Sequence, residues 1–292
     1  MSKWYGNLFA YKLNNKVSEQ DIRKVEDHKI REIGQSEKEV SGWDYVLEDS
    51  DLYVKVGDAF LLNFRTDKKN IPGGIVKQKV KERIKKLKEQ GVEKPNKKEV
   101  KEQIENELLK TAFYNTKEIL GYIDNENSLL VINSNSAKDI DAFVDFLRDD
   151  TGIELDLDML EIDFDITETL TEWLVEKQAK EPFELGEDCT LNDSLSGSKA
   201  SLSRQDLSSE EIDVLLKSGK KVSEVNLEWE ERVSFNLTNE FKIKKIKPKP
   251  VIGELLSEEI GEDESAYTAY VTSMTIMIAD FAQIIQDLLK ED

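Results

Sequence analysis

Residues 68–101 read KKNIPGGIVKQKVKERIKKLKEQGVEKPNKKEVK, and the architecture of the chain turns on this stretch. It carries thirteen basic residues against four acidic ones, Glu82, Glu89, Glu93 and Glu99, a balance of 13 − 4 = +9. Val76, Val80, Ile84 and Leu87 recur at three- and four-residue spacing, and Val100, Ile104 and Leu108 repeat the pattern, which predicts two amphipathic helices. Gly91 to Asn96 supplies the turn between them. Asn96 with Glu99 resembles a capping box, and Pro95 favours extended backbone just before it, so the second helix is expected to start near Lys97. Gly73-Gly74 after Pro72 reads as a break ahead of the first helix. On that helix Lys77, Lys81, Lys85 and Lys88 fall along one flank and Lys79, Arg83 and Lys86 along another, leaving a narrow apolar stripe. The expectation is a helical hairpin that projects with its charge outward. Solvated helices commonly alternate signs to gain pairs between side chains, but here most of the acids are missing. A phosphate backbone is the natural counterion for such a surface.

The rest of the chain has the opposite sign. Its 292 residues hold 61 Asp and Glu against 41 Lys and Arg, net −20, so everything outside residues 68–101 sums to −20 − 9 = −29. That excludes a wholly basic nucleic-acid coat. With 38% hydrophobic and 35% charged residues the chain should fold with a large surface, as two or three subdomains or one elongated, multi-lobed body. Cys189 and His28 are the only residues of their kinds, which removes disulfide frameworks, Cys/His zinc sites and histidine-based nucleophile triads, and fits a reducing cytoplasm. Cys189 reads as an exposed loop thiol and His28 as a helix-surface residue. Met1 to Leu13 has no uninterrupted apolar run and reads as no signal peptide. Tyr270 to Leu289 is broken by Asp280, Gln283, Gln286 and Asp287, too polar for a lipid-spanning helix. Gly219-Lys220-Lys221 is not a P-loop, and no dinucleotide fingerprint is present, so no cofactor is expected.

Strands are predicted at Trp4 to Leu13, Tyr53 to Asn63, Ile119 to Ile123, Ser128 to Asn133, Asp156 to Ile166 and Val271 to Ile278. Val225 to Leu237 and Phe241 to Ile246 read as a hairpin, with Lys242, Lys244, Lys245 and Lys247 as a second basic patch. Helices are expected from Ser136 to Leu147, from Ser208 or Ser209 to Lys217, and from Phe281 to Leu289. Glu187 to Arg204 is rich in Ser, Asn and Gly and reads as a loop. The fold class is α/β (α+β), divided into a β-rich part at 1–70, the basic hairpin at 71–118, an α/β region at 119–186, a linker at 187–204 and a closing α/β region at 205–292. Within 156–166 the acids Asp156, Asp158, Glu161, Asp163 and Asp165 alternate with apolar residues, which offers a metal-dependent nuclease as one alternative. A solvated acidic strand face explains the same pattern, so neither metal nor catalytic residue is assigned. Glu99-Val100-Lys101 resembles a nuclease fragment but falls on a helix.

Several short segments together resemble the RdgC family of bacterial recombination-associated DNA-binding proteins. They are Trp4-Tyr5-Gly6-Asn7-Leu8, Tyr11-Lys12-Leu13, Gly42-Trp43, Ile71-Pro72, Ile75-Val76-Lys77, Ala112-Phe113, Ile123-Asp124, Leu170-Thr171-Glu172-Trp173 and Gln205 through Ile212, in collinear order from Trp4 to Leu289. The resemblance implies a homodimeric ring that passes double-stranded DNA through a positively lined hole and limits RecA-promoted strand exchange without catalysis, in the cytoplasm and on the nucleoid. The expected DNA contacts are Lys77, Lys81, Arg83, Lys85, Lys88, Lys97, Lys98 and Lys101. Arg204 and Gln205 match the family's Lys-Gln pair and are expected to meet phosphate or the dimer partner. Phe113 matches a family Phe and is expected at the ring closure, with ordinary core packing as the alternative. Two departures stand out: Lys110 and Thr111 replace the family's Pro and Arg before Ala-Phe, and Gly91-Val92-Glu93-Lys94-Pro95 replaces a more basic turn. The alternatives are the metal-dependent exonuclease, a label sometimes attached to this family, and an acidic module that engages a recombinase directly.

Overall fold

A computed structural model describes residues 4–48, 50–193, 195–261 and 264–290. Met1 to Lys3, part of the stretch read as lacking a signal peptide, and Ser194, part of the supposed linker, lie outside them. The chain runs β1 (Asn7–Leu13), α1 (Glu19–Ile22), β2 (Glu39–Asp44), β3 (Tyr53–Val56), β4 (Ala59–Lys69), α2 (Gly73–Glu89), α3 (Lys97–Leu109), β5 (Tyr114–Asp124), β6 (Leu129–Ile132), α4 (Ala137–Asp145), β7 (Leu157–Met159) and α5 (Ile166–Glu176). It continues through β8 (Phe183–Asn192), β9 (Lys199–Leu202), α6 (Glu210–Lys217), β10 (Lys221–Trp229), β11 (Val233–Thr238), β12 (Ile243–Pro248), α7 (Pro250–Glu259) and α8 (Ala266–Leu289). The strands form one open antiparallel sheet in the order β2-β4-β5-β6-β1-β12-β11-β10-β8-β9, with β3 added to β4 and β7 to β1. The fold is therefore mixed α/β.

Both faces of the N-terminal half-sheet are covered, which is why β6 and the first four residues of β4, Ala59 to Leu62, are unbroken apolar runs. Phe60, Leu62 and Phe64 point with Leu130 and Ile132 into a core closed by Trp43, Phe143 and Leu147. Ala59, Leu61, Leu129 and Val131 point the other way, into the larger core that includes α8. Trp43 is fully buried, its ring 5.4 Å from Phe143, and its indole N–H donates to Thr151 Oγ1 at 2.7 Å. A bare glycine is required beside it at position 42, where a Cβ would fall 2.6 Å from the Ile30 backbone.

α8 is held across the sheet by polar contacts as well as by Met274, Met277, Phe281 and Ile285. The Trp4 indole donates to Ser273 Oγ at 3.3 Å, the Trp229 indole to Asp287 at 3.0 Å, and Arg232 grips Asp280 with two nitrogens at 2.8 and 3.2 Å. Burial pushes the Asp280 carboxyl up, and Arg232 pulls the other way. By length and composition α8 could cross a membrane, yet half of it is already buried in the protein.

Several expectations are corrected. Val271 to Ile278 is not a strand but the middle of α8: the buried positions 274, 277, 278 and 281 keep helical spacing, and Ser265 caps the start by accepting from the Thr268 N–H. Its β-branched residues are overridden by burial on one helix face. Phe281 to Leu289 is the end of the same helix. Of Asp156 to Ile166, only Leu157–Met159 is a strand, pairing β1, because Asp165 already caps α5 by accepting from the Glu168 N–H. The predicted single strand 225–237 is broken by Glu230 and Glu231, both at positive φ, between β10 and β11. Tyr53 to Asn63 is broken by Gly57 at φ +58 between β3 and β4. Gly73-Gly74 opens α2 rather than preceding it. Glu187 to Arg204 is no loop: β8 and β9 pair there, and Asp193 makes the turn by accepting from the Leu195 and Ser196 N–H groups. His28 ends a short 3₁₀ turn, half-buried with its ring edge to Phe146.

Cys189 is accordingly buried, inward on β8 and paired with Leu202, not an exposed thiol. Burial, with Asp188 beside it, pushes its pKa up to about 11. In the native protein Cys189 should resist a disulfide-exchange reagent at pH 8 and react fully once the chain is unfolded in denaturant, as followed by absorbance of the released thiol.

Candidate functional site

α2 and α3 follow directly from the end of β4 and return directly into β5. Their shared core is small: Val76, Val80, Val100 and Ile104 are buried, with Ile84, Leu87 and Leu108 partly so. The start of α3 is fixed as expected, with Asn96 Oδ1 accepting from the Lys98 N–H at 3.1 Å and Asn96 Nδ2 donating to Glu99 at 2.8 Å. One stripe of apolar contact therefore orients both helices, and the remaining positions are free to carry charge.

Between the helices and the adjoining ends of β2 and β4 lies a groove of about 1050 Å³. Lys38, Lys68, Lys69, Lys77, Lys81, Lys85, Lys88, Lys97 and Lys101 line it, with Glu39 and Glu105 as its acids and an apolar floor of Ile71, Val76, Val80, Ile84 and Leu109. Some of the lysines are partly neutralised. Lys68 pairs with Glu39, Lys38 with Glu105 at 3.6 Å, Lys101 with Glu105 at 3.5 Å and Lys85 with Glu89 at 4.0 Å, while Lys69 donates to the Gly34 and Gln35 carbonyls. Among the described residues Lys77, Lys81, Lys88 and Lys97 make no ion pair.

Six of the eight lysines and arginines expected from the sequence thus face one groove. Arg83 does not; it lies on the other flank, bound to Glu107 at 3.0 Å. Lys98 lies outside the groove as well. Lys38 was missed because it lies just before β2, an element with no strong strand pattern, and only the pairing of Glu39 with Lys68 across β2 and β4 brings it near α3. Arg204 and Gln205 are not brought to this groove: they follow β9 at the opposite edge of the sheet, with β5, β6, β1, β12, β11, β10 and β8 between. There the Gln205 amide donates to Glu211 at 2.7 Å, and Arg204 takes a positive φ while its N–H donates to Asp188 at 3.0 Å. The second basic patch is largely neutralised, since Glu224 holds Lys244 at 2.9 Å and Lys245 at 3.5 Å and Lys242 pairs with Glu240.

Phe113 is 91% exposed, which removes core packing as its explanation. It borders a recess of about 360 Å³ formed by Ile71, Pro72, Ile75, Leu108 and Ala112 among others. Elsewhere, among the described residues, no group of three or more His, Cys, Asp or Glu side chains is gathered closely enough to hold a metal ion.

The end of β4 that carries Lys68 and Lys69 is fixed by a charged network. Arg65 forks onto Asp67 at 2.8 and 2.9 Å and reaches Asp44 at 2.9 Å, and Thr116 on β5 donates to Asp67 at 2.7 Å. Burial opposes ionisation of Asp67, but Arg65 and Thr116 outweigh it and hold the carboxyl below its usual value.

An antiparallel sheet that feeds a pair of helices from its β4–β5 arm defines a mixed α/β protein with a lysine-lined groove. The family profile described as "Putative exonuclease, RdgC" matches residues 3–291. A recombination-associated protein RdgC from Colwellia psychrerythraea is 32% identical over 298 residues, covering 99% of this chain and 96% of the relative. The proteins of that name from Pseudomonas aeruginosa and Psychromonas ingrahamii are each 28% identical, over 98% of this chain and 96% and 97% of their own lengths. The chain belongs to the RdgC family.

Asp67 gives a test of the frame. Its depressed pKa means the stabilisation is present above the free carboxylate value and is lost as pH falls through the folded one. Asp67→Asn should lower unfolding free energy by about 2 kcal/mol at pH 7, and the gap to the parent should begin to narrow only below about pH 4 and go on narrowing as pH falls further, as read from urea midpoints across a pH series.

Proposed function

We propose that the chain binds double-stranded DNA without sequence preference, closes around it as a homodimeric ring and thereby limits RecA-dependent recombination, with no catalytic step. The observation that carries this reading is the groove itself: nine lysines converge in a protein of net charge −20, and among the described residues four of them, Lys77, Lys81, Lys88 and Lys97, make neither an ion pair nor a side-chain hydrogen bond. Lysine ammonium groups contact phosphate as point charges, and they lack the planar fork that reads guanine edges, so affinity without sequence preference follows. The acidic remainder repels DNA elsewhere and leaves the groove as the preferred approach. The names of the relatives, recombination-associated proteins, agree with this reading. Such an activity belongs to the cytoplasm and the nucleoid.

Ring closure rests on Phe113. A side chain 91% exposed beside an apolar recess can seat in the same recess of a second copy, and a two-fold axis would let the partner's Phe113 do the same. Thr111 and Asn115 line the same recess. Phe113→Ala should leave the fold intact and shift the protein toward monomer in light scattering on a dilution series.

The central test is a mobility-shift series on unrelated linear duplexes from low to moderate salt. Binding should weaken steeply with salt, and Lys77→Ala combined with Lys81→Ala should reduce the slope of log affinity against log salt by about 2, at about 0.9 for each phosphate no longer neutralised. Absence of binding at low salt, or a slope that does not change in the double variant, would overturn the reading.

A further inference from the structure

The lysine groove has a feature that phosphate does not use. Its floor is aliphatic: Ile71, Val76, Val80, Ile84 and Leu109 lie beneath the ammonium groups. Duplex DNA reaches a protein with its phosphates foremost and brings little apolar surface to such a floor, which would stay wet or empty under it. A ligand that satisfies rim and floor together carries carboxylates and aliphatic side chains on one short segment.

We infer that the groove is also a docking site for an acidic protein segment in which carboxylates are interspersed with leucine- or isoleucine-like side chains. Charge complementarity selects the occupant. Lys77, Lys81, Lys88 and Lys97 have no acidic partner among the described residues, so incoming carboxylates displace no internal pair. Glu39 and Glu105, the two acids of the groove, are both already engaged by lysines. Lys77 and Lys88 stand about 16 Å apart along the α2 axis, the reach of about five residues of extended chain. In an extended segment successive side chains diverge, so alternate positions can turn to the lysines while the others reach the floor. The floor contributes affinity that salt does not screen, whereas the rim contributes affinity that it does. Peptide and DNA then contend for the same ammonium groups, and a bound acidic segment drives DNA off.

Docking itself does not depend on the DNA reading; only the competition does. The test uses the full chain and fluorescence anisotropy with two labelled synthetic peptides of about eight residues, one alternating Asp with Leu and one alternating Asp with Ser, beside a labelled duplex. The Asp-Leu peptide should bind at least about tenfold more tightly than the Asp-Ser peptide. Ile84→Ser, a half-buried floor position, should remove that advantage, and unlabelled Asp-Leu peptide should displace the duplex. Equal affinity for the two peptides, or no binding of either, overturns the inference on the unmodified protein, whatever Ile84→Ser does to the fold. An Ile84→Ser protein that keeps the helical circular dichroism and the Leu preference overturns it as well. A chain that binds the Asp-Leu peptide but no duplex would sink the DNA reading and leave the docking site standing.

Discussion

β1 is the strand on which the two halves of the sheet both depend. On one edge it pairs with β6 through residues 9–12; on the other it pairs with β12 at Asn7 and Leu8 and with β7 at residues 11–13. Two residue pairs to β12 make a thin seam for so wide a sheet, and α8 covers the deficit. The helix takes the Trp4 indole from just before β1 and the Trp229 and Arg232 side chains from the β10–β11 turn, so it fastens both halves to one rigid element. The position of every functional group is referred to that joint. The lysine-bearing helices hang from the β4–β5 arm on one side of it, and Arg204 with Gln205 lie beyond β9 on the other.

The helices of the basic stretch were legible because local signals agreed. Apolar spacing gave both helices, an Asn cap behind Pro95 gave the start that α3 keeps, and the two-flank arrangement of lysines separated the groove-facing side from the side bearing Arg83, whereas the start of α2 lies at the glycines read as a break. Legibility failed where tertiary burial decided the outcome. Val271 to Ile278 carries strand-forming residues, yet its neighbours extend a helical face over the full length of α8, and nothing local announces that a sheet will cover it. The β8–β9 hairpin was hidden because β9 is an edge strand: between Glu187 and Arg204 most residues are polar, and only Cys189, Leu191, Ala200 and Leu202 mark the inward side. Lys38 escaped notice for a third reason, because its place in the groove is created by cross-strand pairing and not by any pattern around it.

The two basic patches differ in how the fold treats them. On β12 the lysines meet glutamates that reach across from β10, one strand beyond β11: Glu224 sits between Lys244 and Lys245, and Glu228 takes Lys249, just past the strand, at 2.7 Å. Such pairs contribute little net stability at a surface, but they cancel the local field. On α2 the corresponding acids are absent from one flank, and the repulsion is tolerated because the helix is anchored by a narrow apolar seam. Counted along the chain, the patches look alike in kind; the ion pairs distinguish them.

That distribution makes the molecule a strong electric dipole. Positive charge left uncancelled at the α2–α3 arm, where residues 73–109 sum to 11 − 7 = +4 against −20 − 4 = −24 for the remainder, exerts a torque on the protein as it diffuses toward any polyanion. The molecule is turned arm-first before contact, so the approach is oriented and its rate rises above that of an evenly charged protein. The gain fades as ions shorten the range of the field to about 8 Å at physiological ionic strength. Neutralising Glu224 and Glu228 on β10 would therefore slow encounter without touching a single group in the groove, because it would restore positive charge where the fold now hides it.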